Sequence, residues 1–140
     1  MREPTKGVLS MSNPYYIPKY RYYELKYRCL QYNDWLERYN DLTGYLFAHD
    51  TSKIKVDGGE QEDRTYKAVV ERMAVRHDMD ILKQATLALP LSLQQPIFEA
   101  VTEGKGWQVI WMKYELICTR DEYYNAYHLF FYTYDKLLRN

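Results

Sequence analysis

The chain has 140 residues, 19 Lys plus Arg against 19 Asp plus Glu, and two cysteines. That length fits one domain with a real hydrophobic core, and zero net charge argues against the broad basic footprint usual in nucleic-acid binding. No apolar run reaches the roughly 18 residues of a membrane-spanning helix, the N-terminus lacks a signal-peptide core, and two cysteines make no disulfide framework, so a cytoplasmic protein with reduced Cys29 and Cys118 is expected.

Residues 1–18 hold three of the five prolines and no sustained period, and they read as a flexible arm. From Lys19 to about Phe47, Tyr22, Leu25, Cys29, Tyr32, Leu36, Tyr39, Thr43 and Leu46 recur at steps of three and four, which predicts one long helix with a narrow seam. Leu30, Trp35 and Leu42 widen that seam. Residues 49–62 are polar, contain Gly58-Gly59 and read as a mobile loop. A second helix is predicted from Asp63 to about Leu89, with Tyr66, Val70, Met73, His77, Ile81 and Ala88 on its apolar stripe. His77 reads as a packing residue, because no second His or Cys stands three or four positions away to make a metal site. Two helices of similar length joined by one loop suggest an antiparallel hairpin over residues 19–89.

Pro90 stops the second helix, and Ser92 is placed to cap a short helix through Glu103 with Pro96 in its first turn. Gly104 and Gly106 then interrupt the pattern. Trp107 to Lys113 forms a short amphipathic run, Glu115 to Cys118 a corner, and Thr119-Arg120-Asp121-Glu122 a capping box. The box opens a helix to about Leu138, on which Tyr123, Tyr127, Phe130, Tyr134 and Leu137 share one face. A short helix, a tight turn and a capped second helix is the layout of the helix-turn-helix, whose second helix lies in the DNA major groove. The expected fold is therefore all-α: an antiparallel helical hairpin at 19–89, then a three-helix helix-turn-helix bundle at 90–140.

No phosphate-binding glycine loop, zinc or thiol motif, or nucleophile elbow is present. Asp78 with Asp80 and Glu60 with Glu62 are spaced two apart, which points them away from each other on a helix. A non-enzyme without catalytic residues, metal, cofactor or small-molecule ligand is expected. The 16 tyrosines read mainly as packing residues that keep a wet hydroxyl at the surface.

Three stretches carry a resemblance. They are Tyr20 to Tyr39, Ala100-Val101-Thr102-Glu103-Gly104, and Ile117 to Tyr124 followed by Phe130-Phe131. In this order they resemble small prophage proteins of Gram-positive bacteria, the phage transcriptional regulators of the RinA and ArpU type. The resemblance implies a C-terminal helix-turn-helix akin to the DNA-binding end of sigma factors. That family carries basic residues between the Tyr-Tyr and Phe-Phe pairs, where this chain has Asn125, Ala126, Tyr127, His128 and Leu129.

The expected function is thus a phage-derived transcriptional regulator that binds double-stranded DNA. Arg120 would contact guanine or phosphate, Asn125 adenine, and Tyr124 phosphate or sugar, with His128 on the same face. Gln108 and Lys113 would approach the DNA backbone from the preceding helix. Residues 19–89 would serve dimerisation or contact with RNA polymerase. The alternative is a non-enzymatic interaction module, a homodimer or adaptor, built on the aromatic seam. An RNA-binding antiterminator ranks last, because neither an aromatic sheet nor a basic arm is signalled.

Overall fold

Gly44 is the one glycine between Lys19 and Phe47, which holds no proline, yet the chain turns at Leu30 and Gln31. The computed structural model describes residues 9–48 and 59–140, and these are all-α, with six helices. They run as α1 (Lys19–Cys29), α2 (Tyr32–Ala48), α3 (Gly59–Thr86), α4 (Leu91–Glu103), α5 (Trp107–Tyr114) and α6 (Arg120–Arg139). The single long helix predicted over 19–47 is therefore two. No local residue forces the break. The chain divides here into two compact units, Tyr32–Asp80 and the remainder, so α1 and α2 bury their faces in different cores. Tertiary packing overrides a continuous local pattern at this point.

In the larger unit α1 packs on α6 and α4, while α4 packs on α5 and α6. Tyr22, Leu25 and Cys29 of α1 are buried, and so are Tyr123, Ala126, Phe130, Phe131 and Tyr134 of α6. Tyr22 meets Phe131 edge-on at 5.1 Å between centroids, and its hydroxyl pairs with that of Tyr127 at 2.8 Å. Arg21 Nε donates to Asp135 at 2.7 Å beside these rings. This compact unit does not coincide with the expected bundle at 90–140, because α1 is part of it. Residues 9–18 belong to it as well, rather than forming a free arm. Ile17 is buried, Tyr15 lies 5.6 Å from the Tyr132 ring, and Asn13 Oδ1 accepts from the Tyr15 amide at 2.8 Å. Of the arm predicted for 1–18 and the loop predicted for 49–62, residues 1–8 and 49–58 lie outside the described residues, while 59–62 are not loop but the first turn of α3.

In the smaller unit a polar ladder links α2 to α3. Arg38 makes a two-point ion pair with Glu71. Arg72 donates to Thr43 Oγ1 at 2.8 Å and to the Tyr39 hydroxyl at 2.7 Å, with its guanidinium over the Tyr39 ring. Arg76 also reaches that hydroxyl, at 3.2 Å. The apolar stripe predicted for α3 is displaced. Tyr66, Val70, Met73 and His77 are exposed, whereas Thr65, Ala68, Met79, Leu82 and Ala85 are buried. The inward line is marked by small residues and charged stems, which a hydrophobic pattern weighted by bulk overlooks. In α2, Leu42 is buried and Leu36 is exposed, so the seam is displaced there too.

Two caps differ from expectation. Ser92 lies inside α4, whose N-cap is Pro90 with no side-chain cap, and Pro96 is buried beyond the first turn. At α6 the expected capping box is present: Thr119 Oγ1 accepts from the Glu122 amide at 3.1 Å, and Glu122 accepts from the Thr119 amide at 2.9 Å.

Candidate nucleic-acid interface

Helix α5 is only eight residues long, and its position depends on what it buries. Ile110 is fully buried, and the Trp107 ring sits 4.8 Å from that of Tyr123 on α6. The helix ends at Glu115, a non-glycine residue in the left-handed region at φ 50°, and the Leu116 amide then returns to the Trp111 carbonyl. This left-handed cap satisfies a carbonyl at the helix end and turns the chain toward Thr119. With the capping box fixing the first turn of α6, the helix–corner–helix unit is closed at both ends.

A buried carboxylate ties α5 to α4. Glu99 is 5% exposed and accepts from Lys105 Nζ at 2.9 Å, Lys113 Nζ at 2.6 Å and the Tyr114 hydroxyl at 2.7 Å. The Lys113 and Lys105 hydrogen bonds hold its pKa down at about 2, far below the usual carboxylate range. Tyr114 moves up, first through burial and then through Glu99. An acidic residue amid Ile97, Phe98, Ala100 and Val101 was the only sequence signal for this cluster. Its partners stand 6, 14 and 15 positions away, where helical periodicity says nothing.

The predicted contact residues fall into three groups. Arg120 and Asn125 are exposed near the start of α6. Arg120, Tyr124 and His128 form a stack along one stripe: the guanidinium lies 5.7 Å from the Tyr124 ring centroid, and the Tyr124 and His128 rings are 6.3 Å apart. Tyr124 and His128 are only half-exposed, and burial pushes the His128 pKa down, which favours a neutral imidazole at physiological pH. On α5, Gln108 is exposed, while the Lys113 ammonium is directed to Glu99 even though half its side chain is accessible. Helix α1 takes the part of α6 that carries Tyr127, Phe131 and Asp135.

No family model, curated protein or solved structure matches this chain. Among the described residues, no cluster of His, Cys, Asp and Glu is arranged to hold a metal ion, and no helix is long and apolar enough to cross a membrane.

Proposed function

We propose that α5, the corner and α6 form a helix-turn-helix reading unit of a phage-derived regulator that binds double-stranded DNA. The observation that carries this reading is the exposed, capped start of α6 with Arg120 and Asn125 on it, set by a short helix that is itself braced from inside. Arg120 contacts guanine or phosphate, Asn125 offers the amide that suits adenine, and Tyr124 and Gln108 touch the backbone. Lys113 contributes less than the sequence alone implies, since Glu99 already neutralises it. In this reading the chain is not an enzyme, and α2 with α3 serves dimerisation or contact with RNA polymerase. An anisotropy titration on duplex DNA at low salt tests the reading. Binding that weakens steeply with salt is expected, with Arg120→Ala lowering affinity and reducing the salt slope by about one. No binding at micromolar protein in low salt removes it.

One observation favours the second reading, a protein-interaction module. Val109 and Met112 of α5 and Ile117 of the corner are exposed at 53%, 71% and 103%, and Trp111 beside them is half-exposed. Aromatic residues and Met are enriched at protein interfaces. Retention of a protein partner by the wild type but not by Met112→Glu, with no duplex binding by either, decides for this reading.

A further inference from the structure

A pocket of about 220 Å³ opens between α1, the α4–α5 junction and α6, all within the larger unit. Its wall is aromatic: Tyr22, Trp107, Tyr123, Tyr124 and Tyr127 line it. Tyr22 and Tyr123 are buried at its back, and the half-exposed rings are those of Trp107, Tyr124 and Tyr127. Gly104 and Gly106 bring bare backbone to the same space. Gly104 is left-handed at φ 69°, and a Cβ there would meet Leu30 at 3.3 Å, so a side chain is disfavoured at this rim.

The charge in the pocket has one sign. No carboxylate lines it, and its two cations are Lys26 and Lys105. Lys105 is already held by Glu99 at 2.9 Å and Glu103 at 3.3 Å. The Lys26 ammonium, among the described residues, makes no ion pair or hydrogen bond. An aromatic-walled space with one uncommitted ammonium suits a planar ring that carries an anion. The volume, about 220 Å³, exceeds the roughly 150 Å³ that admits benzene, which leaves room for one base. The hydroxyls of Tyr22 and Tyr127 bond each other at 2.8 Å and keep spare acceptor sites for a polar ring edge.

We infer that this pocket binds a nucleotide, with the base against the Trp107, Tyr124 and Tyr127 rings and the phosphate on Lys26. The nucleotide is either a free monophosphate or one unstacked residue of a strand, since the chemistry is shared. Only Tyr124 is common to this pocket and the proposed duplex contacts, so the inference does not rest on the helix-turn-helix reading.

Calorimetric titration of the full chain tests it with three probes: the nucleoside monophosphates, the corresponding nucleosides, and a short single-stranded oligonucleotide. Saturable binding of a monophosphate or of the single strand below about 1 mM is expected. Removing the phosphate, or replacing Lys26→Met, is expected to weaken it roughly tenfold, and Lys26→Arg to restore most of the loss. Lys26 lies near the end of α1 and is partly exposed, so the variants are expected to fold, which circular dichroism is to check. Binding of the strand but not of monophosphates assigns the source to nucleic acid; the reverse assigns it to a free nucleotide. No saturable binding of either, or equal binding by Lys26→Met, overturns the inference. Salt-dependent duplex binding that Lys26→Met leaves unchanged would keep the helix-turn-helix reading while this one fell.

Discussion

Glu99→Gln tests how α5 is braced. The side chain keeps its size and loses the charge that Lys105, Lys113 and Tyr114 share. Lowering the carboxyl from 4.5 to about 2 corresponds to at most about 3 kcal/mol of folding free energy. The Lys105 and Lys113 side chains are 33% and 52% exposed, so water screens the network and about 1–2 kcal/mol is the expected loss at neutral pH. Because the folded pKa is depressed, this stability is complete above the unfolded value near 4.5 and disappears as pH falls toward 2. Urea denaturation of wild type and variant, compared near pH 7 and again near pH 2.5, reads the difference directly. The gap is expected to shrink to below about 0.7 kcal/mol in acid, since every other carboxylate titrates alike in both proteins. A gap that acid leaves unchanged, or no gap at neutral pH, refutes the ion-network account.

Thr119→Ala removes the capping box and is expected to cost about 1 kcal/mol, with faster hydrogen exchange confined to the first turn of α6. Phe130→Ala empties a fully buried position and is expected to cost about 3–5 kcal/mol in a denaturant melt; a loss under about 1 kcal/mol would mean the α6 core collapses freely. Cys29 is buried and burial raises its thiol pKa, whereas Cys118 is half-exposed on the corner and only partly desolvated. A thiol reagent is therefore expected to label Cys118 in the native protein and Cys29 only on unfolding, as peptide mapping will read.

The C-terminal third was the most legible part of the sequence. Thr119 and Glu122 announce their own helix start, and Tyr123, Phe130 and Tyr134 repeat at a period that survives folding, because capping and helical spacing are local. The turn at Leu30 was not legible, since no glycine or proline marks it and its cause lies in which core each helix joins. The α3 face was misjudged because Tyr66, Val70 and Met73 outweigh Thr65 and Ala68 in bulk while lying outside. In the candidate site, Arg120 and Asn125 were placed outward by spacing alone. The capture of Lys113 by Glu99 and the pairing of Tyr22 with Tyr127, 105 positions apart, needed three dimensions.

The pairing of α1 with α6 also sets an order of events during synthesis. The face of α1 that carries Tyr22 and Leu25 leaves the ribosome about 100 residues before Tyr123 and Phe131, a wait of roughly 5–20 s at ordinary elongation rates. The smaller unit is translated entirely within that interval and is free to form first. The larger core cannot close until α6 has emerged, so its nascent aromatic surfaces stay open to solvent until then.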